Sequence, residues 1–174
     1  GPARGPVGCG FVDGLPVGAA TVTVLFTDLV GSTAMRTRLG DDRADAVRRE
    51  HDELLGRIIS EHRGVVVKGL GDGLMATFLA PSEALAAAVT INHAVVRRNR
   101  KGGEPLVLRM GISVGEVRVE GDDVFGTPVV EAARLCGKAG DEQILAAGWV
   151  RALAGSRAGV AFVPVGELVL KGLA

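Results

Sequence analysis

Residues 21–27 (TVTVLFT) form a compact run of β-branched and apolar side chains, the pattern of a buried strand. A polar stretch with one glycine follows at 28–33 (DLVGST), where Ser32 or Thr33 is placed to cap a helix. From 34 to 62 apolar residues recur at helical spacing. Val47, Leu54, Leu55, Ile58 and Ile59 share one stripe, opposite a charged side, which predicts one long helix ending at Gly64. Residues 65–70 and 74–79 read as two strands joined by a tight Gly71-Asp72-Gly73 turn. Pro81 opens a second helix over 82–99, with Leu85, Val89, Val95 and Val96 facing inward. Strands are predicted at 106–113 and 116–120, on either side of Gly115, and a third helix at 128–138. Short strands at 142–145, 160–165 and 167–170, with a small helix near 147–154, complete the pattern. Strands and helices mixed in this way predict an α+β sandwich, with helices covering one face of a mostly antiparallel sheet.

Residues 1–19 are rich in Gly and Pro without periodicity and read as a flexible leader, leaving 20–174 as one domain. The abrupt ending in a strand-like segment predicts a domain cut from a longer protein. Hydrophobic residues make up 47% of the 174, enough for a sizeable core. Aromatics are only 3%, so that core must be aliphatic. Lys plus Arg and Asp plus Glu each number 20, so the global basic field of a nucleic-acid binder is absent. The basic run at 97–101 ends a predicted helix, where the dipole favours cations. Cys9 and Cys136 form no metal-binding or disulfide framework, and Cys136 reads as a packing residue. His51, His62 and His93 lack metal-ligand spacing. With no signal peptide and no bilayer-length apolar run, a cytoplasmic location is expected, any membrane tether lying outside this chain.

Two aspartates carry candidate chemistry. Asp28 ends an apolar strand just before a helix start, where free backbone N–H groups and the helix dipole favour phosphate. A hard cation on Asp28 would complete a polyphosphate site. The plainer reading is an Asp that caps the helix. Asp72 sits in a hairpin turn, where Asp-Gly is common for conformational reasons alone. If the first strand lies beside this hairpin, the two carboxylates meet at one sheet edge, the layout of a two-metal site.

In these residues the chain resembles the catalytic domain of class III nucleotide (adenylyl/guanylyl) cyclases, in a bacterial, actinobacterial-like style. Residues 24–33 resemble the family's first metal motif and 68–73 its second. Residues 123–126 with 132–134 resemble the third, 111–115 its glycine-bounded strand pair, and 170–173 the ending of bacterial members. The likeness covers about residues 20–174, in order.

The resemblance implies a ferredoxin-like α+β fold working as a head-to-tail homodimer with sites at the interface. Asp28 and Asp72 would bind two Mg²⁺ or Mn²⁺ ions. Leu29, Val30, Gly31, Ser32 and Thr33, with Arg134, would bind phosphate. Lys68 and Asp123 match the base-reading pair and complement adenine, so ATP is the expected substrate and cyclic AMP the product. Phe125 and Gly126 set the register that selects Asp123 over Asp122. Asp28, Asp72 and Arg134 would be catalytic. Lys68 and Asp72 are four residues apart, about 13 Å along an extended strand. Serving two sites across a symmetric dimer suits that separation.

Three positions depart from the pattern: Ser113 and Glu116 stand where other members often carry His and, in some, Arg, and the third is residue 130. Where the family usually places a transition-state asparagine, four residues before the arginine, this chain has Val130. A slow cyclase is therefore expected. The alternatives are a pseudo-cyclase that binds nucleotide or dimerises to regulate an attached output domain, and a guanylyl or promiscuous cyclase.

Overall fold

The computed structural model describes residues 11–12, 15–16 and 18–171. In chain order it contains β1 (Phe11–Val12), β2 (Leu15–Pro16), β3 (Gly18–Leu29), α1 (Ser32–Leu39), α2 (Asp41–Glu61), β4 (Val65–Gly69) and β5 (Gly73–Phe78). There follow α3 (Pro81–Arg100), β6 (Leu108–Glu120), β7 (Asp123–Phe125), α4 (Thr127–Lys138), β8 (Ile144–Ala146), α5 (Gly148–Ala154) and a 3-10 turn (Gly155–Ala158). β1 and β2 form a separate antiparallel pair. The main sheet has the order β4-β5-β3-β6-β7, antiparallel throughout, with β8 parallel to β6. The arrangement β6-β3-β5-β4, with helices crossing from β3 to β4 and from β5 to β6, is the expected ferredoxin-like sandwich. Most of the expected leader, residues 1–19, lies outside the described residues.

The central strand is apolar on both sides because both faces are covered. Leu25, Ala76, Phe78, Met110 and Ile112 form one core with Leu55 and Ile59 of α2 and Leu85, Ala88 and Ile91 of α3. Each large aliphatic side chain fully buried there contributes roughly 1.5–3 kcal/mol. A second core on the opposite face joins Val22, Val24, Met75, Val117 and Val124 to Ala132 of α4. The expectation of helices on one face is corrected here, since α4 lies on the other. It approaches closely because residue 111 is glycine: a Cβ there would lie 2.2 Å from the Ala132 carbonyl oxygen.

Other expectations shift locally. The helix expected over 34–62 is two helices, broken at Gly40, whose φ of 80° suits glycine. Arg36 braces the corner through Asp41 at 3.0 Å and Asp45 at 2.7 Å. The strands expected on either side of Gly115 are one continuous β6. Asp123 begins β7. The segments 160–165 and 167–170 are not strands. Val160 and Phe162 pack on the main core while Val163 and Val169 are exposed, so the alternating pattern is satisfied without strand partners. No described helix is long and apolar enough to cross a membrane.

His51 of α2 is 1% exposed, and neither ring nitrogen has a hydrogen-bond partner among the described residues. Burial, and secondarily the charge of Arg98, depresses its pKa from 6.5 to about 4. As pH falls, the unfolded chain therefore takes up this proton first. The contribution to stability is complete above about pH 6.5 and is lost progressively toward pH 4, by about 3 kcal/mol in all. Urea unfolding at pH 7.5 and 4.5 should show a smaller loss in His51→Gln than in the wild type. An equal loss in both would show that other groups set the acid limit.

Candidate active site

The antiparallel pairing of β3 with β5 places Asp28 opposite Gly73. The next N–H, of Leu29, donates to the Asp72 carbonyl at 2.8 Å. The two aspartates therefore sit on adjoining backbone at one end of the sheet. Glycine at 73 permits this approach, since a Cβ there would lie 1.8 Å from the Thr27 carbonyl oxygen.

Each carboxylate has one engaged oxygen. Asp28 Oδ2 accepts a hydrogen bond from Arg109 Nε at 2.7 Å and lies 2.6 Å from Nη2 of the same guanidinium, an ion pair. Asp72 Oδ2 accepts from Ser32 Oγ at 2.7 Å. Neither Oδ1 has a hydrogen-bond partner among the described residues. Ser32 therefore does not act as the expected cap. Gly31 occupies the N-cap position of α1, without a side-chain bond.

This donor set fits a hard divalent cation that shares its remaining ligands with substrate oxygens. Among the described residues no group of three or more His, Cys, Asp or Glu could enclose an ion unaided. Of the five loop residues expected to bind phosphate, Leu29 and Val30 have committed N–H groups, to the Asp72 and Val107 carbonyls at 2.8 Å each. Gly31, Ser32 and Thr33 remain at the start of α1, where first-turn N–H groups lack intrahelical partners. A cavity of about 290 Å³ adjoins them, lined by Thr33, Arg36, Arg48, His51 and Asp72 among others.

Lys68 and Asp123 meet although β4 and β7 are at opposite edges of the sheet. The β3–β6 ribbon curls so strongly that β7 reaches β4. Lys68 Nζ lies 2.9 Å from Asp123 Oδ1 and 2.7 Å from Oδ2. The Val124 N–H also donates to Oδ1, at 2.8 Å. The Lys68 ammonium, and then that N–H, holds the Asp123 carboxyl below the usual range. Both side chains remain partly accessible, at 43% and 29%.

Val130 and Arg134 lie one turn apart on α4. Val130 is 40% exposed, and Arg134 is exposed without an ion pair among the described residues. Among the described residues no hydrogen bond or ion pair joins Arg134 to the aspartates or to Lys68–Asp123. Next to Val130, Glu131 accepts a hydrogen bond from buried Ser113 at 3.1 Å. Cys136 is buried, as its packing role requires, and burial followed by the negative charge of Asp28 pushes its thiol up to about 12.

Neither Arg109 nor the Ser32 contact with Asp72 is expected from the sequence. Arg109 is opposite Asp28 only through the β3–β6 register, across 81 residues, and no local motif marks it.

The chain matches the family described as Adenylate and Guanylate cyclase catalytic domain over residues 17–174. Among curated proteins it is 30% identical over 155 residues to serine/threonine-protein kinase pkn2 of Myxococcus xanthus, covering 87% of this chain and 18% of that protein. It is 31% identical over 114 residues to putative adenylate cyclase 3 of Rhizobium meliloti (strain 1021), covering 64% of this chain and 19% of that protein. This chain thus spans about a fifth of the length of these two relatives. The crystal structure of an adenylate/guanylate cyclase/hydrolase from Silicibacter pomeroyi superposes with a TM-score of 0.80 at 26% identity, covering 90% of this chain and 92% of that one. With the ferredoxin-like sheet, the paired aspartates and a match over nearly the whole length, the chain belongs to the adenylate and guanylate cyclase catalytic domain family.

Proposed function

We propose that this domain is an adenylyl cyclase that converts ATP to 3′,5′-cyclic AMP and pyrophosphate in a homodimer with shared sites. The observation that carries the choice of ATP is the Lys68–Asp123 pair. Its ammonium donor and carboxylate acceptor complement adenine, which offers a ring-nitrogen acceptor beside an exocyclic amino donor. Guanine presents a carbonyl where adenine has that amino group, and would face the Asp123 carboxylate with another acceptor.

In the reaction the ribose 3′-oxygen bonds to the α-phosphorus, the bond to the β-phosphate oxygen breaks, and the hydroxyl proton is released. Asp28 and Asp72 would hold two Mg²⁺ or Mn²⁺ ions, which supply positive charge to the 3′-oxygen and the triphosphate. The N–H groups of Gly31, Ser32 and Thr33 would hold phosphate oxygens at the start of α1. Arg134, permanently charged, would stabilise charge developing on the phosphoryl group from the other chain. Catalysis then rests on positioning and electrostatics. The domain would act in the cytoplasm, joined to a regulatory or output domain.

Val130 supports a second reading, a pseudo-cyclase that binds nucleotide or dimerises without turnover, because its side chain cannot hydrogen-bond. The deciding experiment is cyclic AMP formation from ATP with Mn²⁺ at high protein concentration, with Asp72→Ala as the blank and GTP alongside. Activity with ATP that vanishes in Asp72→Ala is the expected result. Equal background in both proteins, with ATP bound and the dimer verified, would establish the pseudo-cyclase. Preference for GTP would overturn the base assignment.

A further inference from the structure

Arg109 stands directly opposite Asp28 on β6. Two of its nitrogens, Nε and Nη2, converge on the single oxygen Asp28 Oδ2, at 2.7 and 2.6 Å. The third, Nη1, reaches the Gly137 carbonyl at 3.4 Å. That carbonyl belongs to the last turn of α4, the negative end of the helix dipole. The guanidinium is thus anchored from two sides and is only 35% exposed. Unlike a lysine or histidine, it cannot discharge.

We propose that Arg109 is the resident counter-cation of the Asp28 carboxylate, which fixes the carboxylate's orientation and keeps divalent cations weakly bound until a polyphosphate is present. The inference rests on Asp28 being a metal ligand, as proposed above. Arg109 leaves Oδ1 open while it neutralises much of the charge that would attract a cation. A divalent ion on Oδ1 then meets a fixed positive charge across the same carboxylate. The negative charge of a bound triphosphate offsets that repulsion, so metal occupancy follows nucleotide occupancy. Arg109 is a positioning residue here, since it is assigned no contact with substrate.

The test is a Mn²⁺ titration of nucleotide-free protein at fixed ionic strength, with free Mn²⁺ read by electron paramagnetic resonance. Arg109→Met should bind Mn²⁺ at least about tenfold more tightly than the wild type, the scale of removing a unit charge a few ångströms from a divalent ion. Arg109→Lys, which keeps the charge, should stay near the wild type. A triphosphate lacking the 3′-hydroxyl should tighten Mn²⁺ binding to the wild type by more than to Arg109→Met. Arg109→Gln serves in place of the Met variant if the latter does not fold, with circular dichroism and the thermal midpoint as checks. Unchanged or weaker Mn²⁺ binding in a folded, charge-free variant overturns the proposal. The variant Asp28→Asn separates the two failures. If wild-type protein and Asp28→Asn bind Mn²⁺ equally, with or without the triphosphate, the metal assignment of Asp28 falls and the role of Arg109 falls with it.

Discussion

Val130→Asn will raise the rate of cyclic AMP formation by about 10²–10³-fold, the usual worth of one preorganised donor aimed at developing charge. Val130 lies one helical turn before Arg134 on α4 and is 40% exposed, so the two side chains emerge on the same open stripe. Valine offers that stripe no donor. Asparagine is close to it in size and adds an amide that can turn toward ribose or phosphate. The folding cost is small, because the position is neither in the core nor in the helix centre, and the two residues have similar helix propensity. The effect should fall on kcat, with KM for ATP little changed, because a transition-state donor does not strengthen ground-state binding. Steady-state assays of the two proteins at matched dimer concentration decide it. An unchanged kcat in a folded Val130→Asn dimer would mean that another group already supplies the donor, or that residue 130 does not face the nucleotide.

Asp28→Ala and Lys68→Ala proteins will each be inactive, and an equal mixture will recover about a quarter of wild-type activity. That fraction follows from symmetry: random exchange makes half the dimers mixed, and each mixed dimer carries one intact site of two. The placement of these residues in one chain supports sites divided in this way. Lys68 is drawn over the sheet to Asp123 by the curl of β6 and β7, while Asp28 is tied to Arg109 at the end of β3. Arg134 is exposed and has no ion pair with either among the described residues. In the proposed head-to-tail dimer, Lys68, Asp123 and Arg134 of one chain would reach the aspartates of the other. Activity of the mixture is the readout, with differently tagged copies to verify exchange. Exchange without recovered activity would place Lys68 and Asp28 in the same site.

The two carboxylates have different partners. Two aspartates on adjoining backbone repel, yet each is given one donor: a guanidinium for Asp28 and a hydroxyl for Asp72. The donors differ in charge, so the two positions are not equivalent. By the proposal above, Asp28 is the position at which a bound cation would compete with Arg109.

Much of this was legible in the chain itself. The β-branched run before Asp28, the Asp-Gly turn at 72–73 and the apolar stripes of α2 and α3 determined strands, hairpin and helices, because their signals are local periodicity and turn chemistry. The order of those elements determined the α+β class, and the two acidic positions marked the site. Other features depended on contacts between residues far apart in sequence. Lys68 meets Asp123 across 55 residues only because the sheet curls. Arg109 meets Asp28 only through register, and α4 lies on the second face only because Gly111 lets its backbone approach. The segment after 159 keeps an alternating pattern and still forms no strand: Val160 and Phe162 reach the core without a ladder partner, and Val163, Val165 and Val169 stay exposed. Local chemistry thus determined what each segment is, while twist, register and close packing, which are properties of the assembled sheet, decided which charges meet.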